Sequence, residues 1–101
     1  MIITRWQAPS VPTADQVKMI FAIEGLEPRE ENFPGHTQVP EHRHPFDEIL
    51  MVTKGNLLLN VSGNRLLLYP GDKIHIPSNT RHSYQVNADD ECQVITAQKL
   101  F

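Results

Sequence analysis

Hydrophobic residues recur along this chain in two periods. Near the N-terminus, Val17, Ile20, Phe21 and Glu24 are spaced in threes and fours, which predicts a helix over about residues 14–24 with Thr13 as its cap and Gly25 as its stop. The apolar face of that helix, Val17, Ile20 and Phe21, must pack on something. From Glu27 onward the spacing changes to that of short strands, read at residues 47–53, 56–62, 65–69, 72–76, 82–86 and 92–97, with a further short strand at 2–6. Turn signals separate them: Lys54-Gly55, Ser62-Gly63-Asn64, Pro70-Gly71, Pro77-Ser78-Asn79 and the segment 87–90. Many short strands at even spacing indicate an all-β sandwich or barrel, here with one short helix.

Two strands carry three consecutive leucines, Leu57 to Leu59 and Leu66 to Leu68. A run apolar on both sides is expected to be covered on both, by the N-terminal segment or by a second subunit. The chain has 101 residues, enough for one domain with a modest core, and a homodimer is the expected state, with residues 2–6 a candidate for pairing onto a neighbour's sheet edge. Within that single domain, 1–101, the strand and helix of 1–26 are expected to pack on a barrel of 27–101.

Charge and composition narrow the partners. The formal net charge is −3 and the basic residues are scattered, so nothing points to nucleic acid. No apolar run reaches the roughly 20 residues of a membrane span, and the first residues lack the apolar stretch of a signal peptide. The single cysteine, Cys92, fits a reducing compartment, and the expected location is the cytoplasm.

The chemistry lies in two clusters. His42 and His44 are two apart, so on an extended chain they share a face, and Glu48 keeps the same parity with Phe46, Leu50 and Val52. Two imidazoles and a carboxylate in an apolar interior are costly unless something satisfies them, and a divalent cation does so. His82 follows the Pro77 turn and alternates with Tyr84 and Val86, which places it inward. Three histidines and a glutamate suit one divalent transition metal (Fe, Mn, Ni, Co or Zn). In an octahedral geometry two positions stay open for water or substrate, whereas a tetrahedral zinc would be saturated.

Other candidates have plainer readings. His75 alternates with Ile74 and Ile76 and should face outward, and His36 reads as a solvated loop residue. Cys92 reads as a buried strand cysteine. Arg43 and Arg81 flank ligands but alternate outward. Tyr84 shares the inward face and either packs or offers its hydroxyl to a bound molecule. The expected pocket wall is Tyr84, Leu50, Val52, Leu59 and Ile74.

Two segments resemble the motifs of the cupin family. Gly35, then His42-Arg43-His44, Glu48 and Gly55, is similar to the first motif. Gly71, Pro77, Asn79 and His82 are similar to the second, with 15 residues between Gly55 and Gly71. Six residues rather than five separate Gly35 from His42, Asn79 stands at a glycine position, and Val86 replaces the final asparagine; none removes a ligand. The resemblance implies a double-stranded β-helix (jelly-roll) barrel with His42, His44, Glu48 and His82 as metal ligands. It leaves the reaction open, since cupins host oxygenases, isomerases, decarboxylases, epimerases and binders. The expectation is a metal-dependent enzyme, of oxygenase or isomerase type, acting on a small polar molecule. The alternatives are a non-catalytic binding or sensing barrel, or a barrel that metal merely stabilises.

Overall fold

The structure, a computed structural model, describes residues 2–5 and 10–99. In chain order the elements are β1 (Ile2–Thr4), α1 (Ala14–Ile23), β2 (Arg29–Phe33), β3 (Gln38–His42), β4 (Asp47–Lys54), β5 (Leu57–Val61), β6 (Asn64–Leu68), β7 (Lys73–Ile76), β8 (His82–Gln85) and β9 (Cys92–Lys99). They form a five-stranded sheet in the order β1-β7-β4-β9-β2 and a four-stranded sheet in the order β3-β8-β5-β6, a jelly roll in which every strand pairing is antiparallel.

Strand β4 shows how one sequence builds two cores. Its residues alternate: Leu50 and Val52 enter the core between the sheets, with Leu57, Leu59, Ile74 and Val94. Ile49 and Met51 point the other way, where Ile95 and Ala97 join them under Val17 and Phe21 of α1. A strand buried on both faces reads as a near-continuous apolar run, and ILMV of β4 is that run. The helix begins at a capping box: the Gln16 amide N–H donates to the Thr13 hydroxyl while the Gln16 side chain accepts from the Thr13 N–H. It ends where Gly25 takes φ 82° and Leu26 N–H returns to the Phe21 carbonyl.

Several expectations are corrected. The N-terminal helix lies on the five-stranded sheet and not on the leucine strands. Leu57, Leu59 and Leu68 are fully buried, but Leu58 and Leu67, cross-strand partners on the outer side of the four-stranded sheet, are half-buried and 42% exposed respectively. Three leucines in a row thus mark one inward and one outward row, and the N-terminal segment does not cover the outward one. Strand β1 pairs with β7 of its own chain, Ile3 opposite Ile74, and Trp6 of the expected strand lies outside the described residues. Strand β3 gives the extended chain expected at His42, whereas β2, REENF, has no apolar alternation to predict it and is an edge strand whose residues are mostly exposed.

Candidate functional site

The site forms where the two sheets approach at one end of the barrel. His42 is the last residue of β3, His82 the first of β8, and these two are register partners. His44 follows in the connection to β4, and Glu48 enters from the second residue of β4, in the opposite sheet. The parity that joins His42 to Glu48 in the sequence therefore crosses a corner: the chain leaves one sheet at His42 and enters the other at Asp47. The residues converge because both sheets turn their inner faces to the same space. A backbone bond fixes the corner. Asn79, at φ 59°, donates its N–H to the His44 carbonyl at 2.7 Å, which ties the turn before His82 to the loop that carries His44. Asparagine tolerates this left-handed conformation, as the motif position requires.

The donor atoms of His42, His44 and His82 lie within 4.8 Å of one another. Nδ1 of His42 donates to the Pro40 carbonyl and Nδ1 of His82 to the Thr80 carbonyl, each at 2.8 Å. A carbonyl can only accept, so both rings carry their proton on Nδ1 and turn the Nε2 lone pair into the cluster. The ring centroids of His42 and His82 are 4.2 Å apart, and Phe46 stacks on His44 at 4.7 Å. Glu48 flanks the group: its Oε2 is 3.3 Å from His44 Nε2 and 3.7 Å from His82 Nε2. Its Oε1 accepts the Tyr84 hydroxyl at 2.5 Å.

Charge follows this geometry. Burial holds the His44 pKa below the ordinary histidine value, with His42 and His82 adding to the effect against the pull of Glu48. For His82 burial also disfavours the charged form, but the adjacent Glu48 carboxylate outweighs it and the pKa is raised. Burial raises the Glu48 pKa too, and its contacts with His82 and Tyr84 more than offset this, so Glu48 stays ionised. Burial, with the Glu48 charge beside it, pushes the Tyr84 hydroxyl far upward, so Tyr84 is a donor throughout the working pH range.

A cavity of about 240 Å³ opens beside this cluster. One wall is His42, His44 and Tyr84; the other is Arg29, Glu31 and Phe33 of β2, with Thr96 and Gln98 of β9. Of the expected pocket residues, Tyr84 lines it. Leu50, Val52, Leu59 and Ile74 do not: they are fully buried in the closed part of the barrel. Alternation assigned them the correct face, but a face has depth, and these positions lie below the cavity floor. Arg29, Glu31 and Thr96 were missed. The signal was the period-2 placement of Arg29, Glu31 and Phe33, hidden because two of the three are charged.

The remaining candidates lie elsewhere. His75 Nε2 contacts Asp47 Oδ2 at 2.7 Å on the side of the sheet away from the cavity, and this hydrogen bond holds the Asp47 carboxyl below the usual range. His36 pairs with Asp89 at 2.6 Å in an exposed loop. Arg81 approaches Glu41 at 4.0 Å on the surface, beside Arg43. Cys92 is buried in the core, and burial pushes its thiol up to about 11.

A jelly roll that gathers three inward histidines and a glutamate at one open end defines the class of protein. Residues 29–97 match the sequence profile of the cupin domain, and the chain belongs to the cupin family. It is similar to an acireductone dioxygenase from Bacillus licheniformis, 35% identical over 66 residues, which are 60% of this chain and 35% of that protein. It is also similar to the HTH-type transcriptional activator RhaS of Mannheimia succiniciproducens, 40% identical over 53 residues, 52% of this chain and 19% of the activator. The chain thus spans about a third or less of these relatives. Among solved structures, a predicted oxalate decarboxylase from Thermotoga maritima superposes with a TM-score of 0.69, 15% identity, and coverage of 98% of this chain and 79% of that one, a likeness of fold.

Proposed function

We propose that the chain is a metal-dependent enzyme, of oxygenase or isomerase type, that acts on a small polar molecule in the cavity beside His42. One observation carries the metal: His82 Nε2 is buried, has its lone pair turned into the cluster, and has no hydrogen-bond partner among the described residues. Leaving such an acceptor unsatisfied costs about 1–3 kcal/mol, and a divalent cation held by His42, His44, His82 and Glu48 removes the cost. The donor set, neutral imidazole and carboxylate, suits Fe, Mn, Co, Ni or Zn. Bound there, the metal supplies a Lewis-acid or redox centre. Tyr84 holds Glu48, and Phe46 covers His44. Glu31 is a second carboxylate on the cavity wall, outside the histidine cluster, and can accept a proton from a bound molecule. That group favours turnover over simple binding.

The similarity to a transcriptional activator supports a second reading, a barrel that senses a small molecule without converting it. The experiment is a panel of enediols, β-dicarbonyls and small carboxylic acids given to protein loaded in turn with each metal. Oxygen uptake and proton NMR are followed. Turnover that requires both metal and His82 supports the enzyme; saturable binding with no conversion under any metal supports the sensor.

A further inference from the structure

We infer that the cavity is built for a small organic acid, and that the Arg29 guanidinium docks its carboxylate. The inference rests on the metal-centre reading above, because that centre sets the charge of the opposite wall.

Strand β2 is the edge of the five-stranded sheet and pairs with β9 alone. On its inner side, Arg29 stands opposite Thr96, Thr96 opposite Leu50, and Leu50 opposite Ile74. Leu50 and Ile74 are fully buried, Thr96 is 8% exposed, and Arg29 is exposed. This row therefore runs from the closed core, past a hydroxyl at the cavity wall, to a cation at its rim. Arg29 is the sole lysine or arginine that lines the cavity. It forms no ion pair with any described residue. The neighbouring acid Glu30 is taken by Lys18 at 2.7 Å, and Glu31 lies beside the Thr96 hydroxyl at 3.4 Å.

The charges on the wall then decide the ligand. With neutral histidines, Glu31 and Glu48 against Arg29 leave one net negative charge, and a divalent metal turns this into one net positive charge. That sign favours an anionic ligand. The planar guanidinium fork matches a carboxylate with two parallel hydrogen bonds. Glu31 disfavours negative charge next to it, so the carboxylate belongs at the Arg29 end. At about 240 Å³ the cavity is below the usual 300–1,000 Å³ of ligand sites, which limits the acid to a few carbons.

The test uses protein loaded with one equivalent of Mn²⁺ and freed of excess metal. Malonate, succinate and glutarate are titrated calorimetrically, each beside its half-amide, which keeps one carboxylate for the metal and replaces the other with a neutral group of the same shape. We expect at least one diacid to bind tenfold or more tightly than its half-amide. Arg29→Gln should abolish that preference with metal content unchanged, and Arg29→Lys should keep part of it. Equal affinity for acid and half-amide, no binding of any, or a preference that survives Arg29→Gln overturns the inference. Elemental analysis of the same samples separates the failures: protein that takes up no metal overturns the metal-centre reading and this one with it, whereas loaded protein without the preference overturns only the role of Arg29.

Discussion

The Tyr84 hydroxyl donates to Oε1 of Glu48 at 2.5 Å, which leaves Oε2 as the oxygen that faces His44 and His82. The two residues come from opposite sheets, so this bond also spans the barrel at the floor of the site. Tyr84→Phe removes the donor and keeps the ring that stacks near Phe33. We expect the variant to fold and to bind metal about 10–100-fold more weakly, the usual cost of losing a partner that orients a ligand. A competitive chelator titration reads this directly, and wild-type affinity in the variant would remove the orienting role.

Histidine substitutions separate the cluster from its neighbours. His82→Ala should lower metal content well below one equivalent with the barrel still folded. His75→Ala should leave metal content unchanged, since His75 contacts Asp47 outside the cavity. The pH dependence follows from the raised pKa of His82: its proton competes with metal, so affinity falls as pH drops through the histidine range and is weak below about pH 6. Metal content that does not change between pH 8 and pH 5 would speak against histidine ligation.

The helix-covered side of the five-stranded sheet is a second core, and Phe21 is its largest fully buried side chain. Phe21→Ala should destabilise the fold by about 3–5 kcal/mol, from lost burial and the cavity left behind. Denaturant unfolding measures this. Because this core lies on the far side of the sheet from the histidine cluster, the folded variant should take up as much metal as the wild type.

Cys92 gives a check on the closed part of the barrel. Its thiol is fully buried, and burial raises its pKa from the ordinary 9.0 to about 11. The stability this contributes is fully present below the unfolded thiol's pKa and is lost as pH rises toward the folded value. At pH 8 the native thiol should resist a disulfide reagent and react only on unfolding. Rapid stoichiometric reaction of native protein would show that the core opens.

Sequence alone made the four ligand candidates legible, because histidines and a glutamate that should be inside a barrel need a partner of their own. The six strands from residue 47 onward were legible because each carries β-branched or leucine residues between turn residues. Strand β2 was not: Arg29, Glu30, Glu31 and Asn32 give no apolar alternation, and its pairing with β9 is set by tertiary contact at a sheet edge. The cavity wall was misread for a related reason. Alternation says which side Leu50 and Ile74 face, but only the crossing of the two sheets says how deep they lie. Arg29 and Glu31 reach the cavity from a strand that the pattern did not reveal.

The most direct measurement is elemental analysis of protein purified without a metal-affinity tag, before and after reconstitution, beside His82→Ala. The account predicts close to one equivalent of a single divalent transition metal per chain in the wild type and far less in the variant. No metal in the wild type after reconstitution, or full metal in His82→Ala, would contradict it.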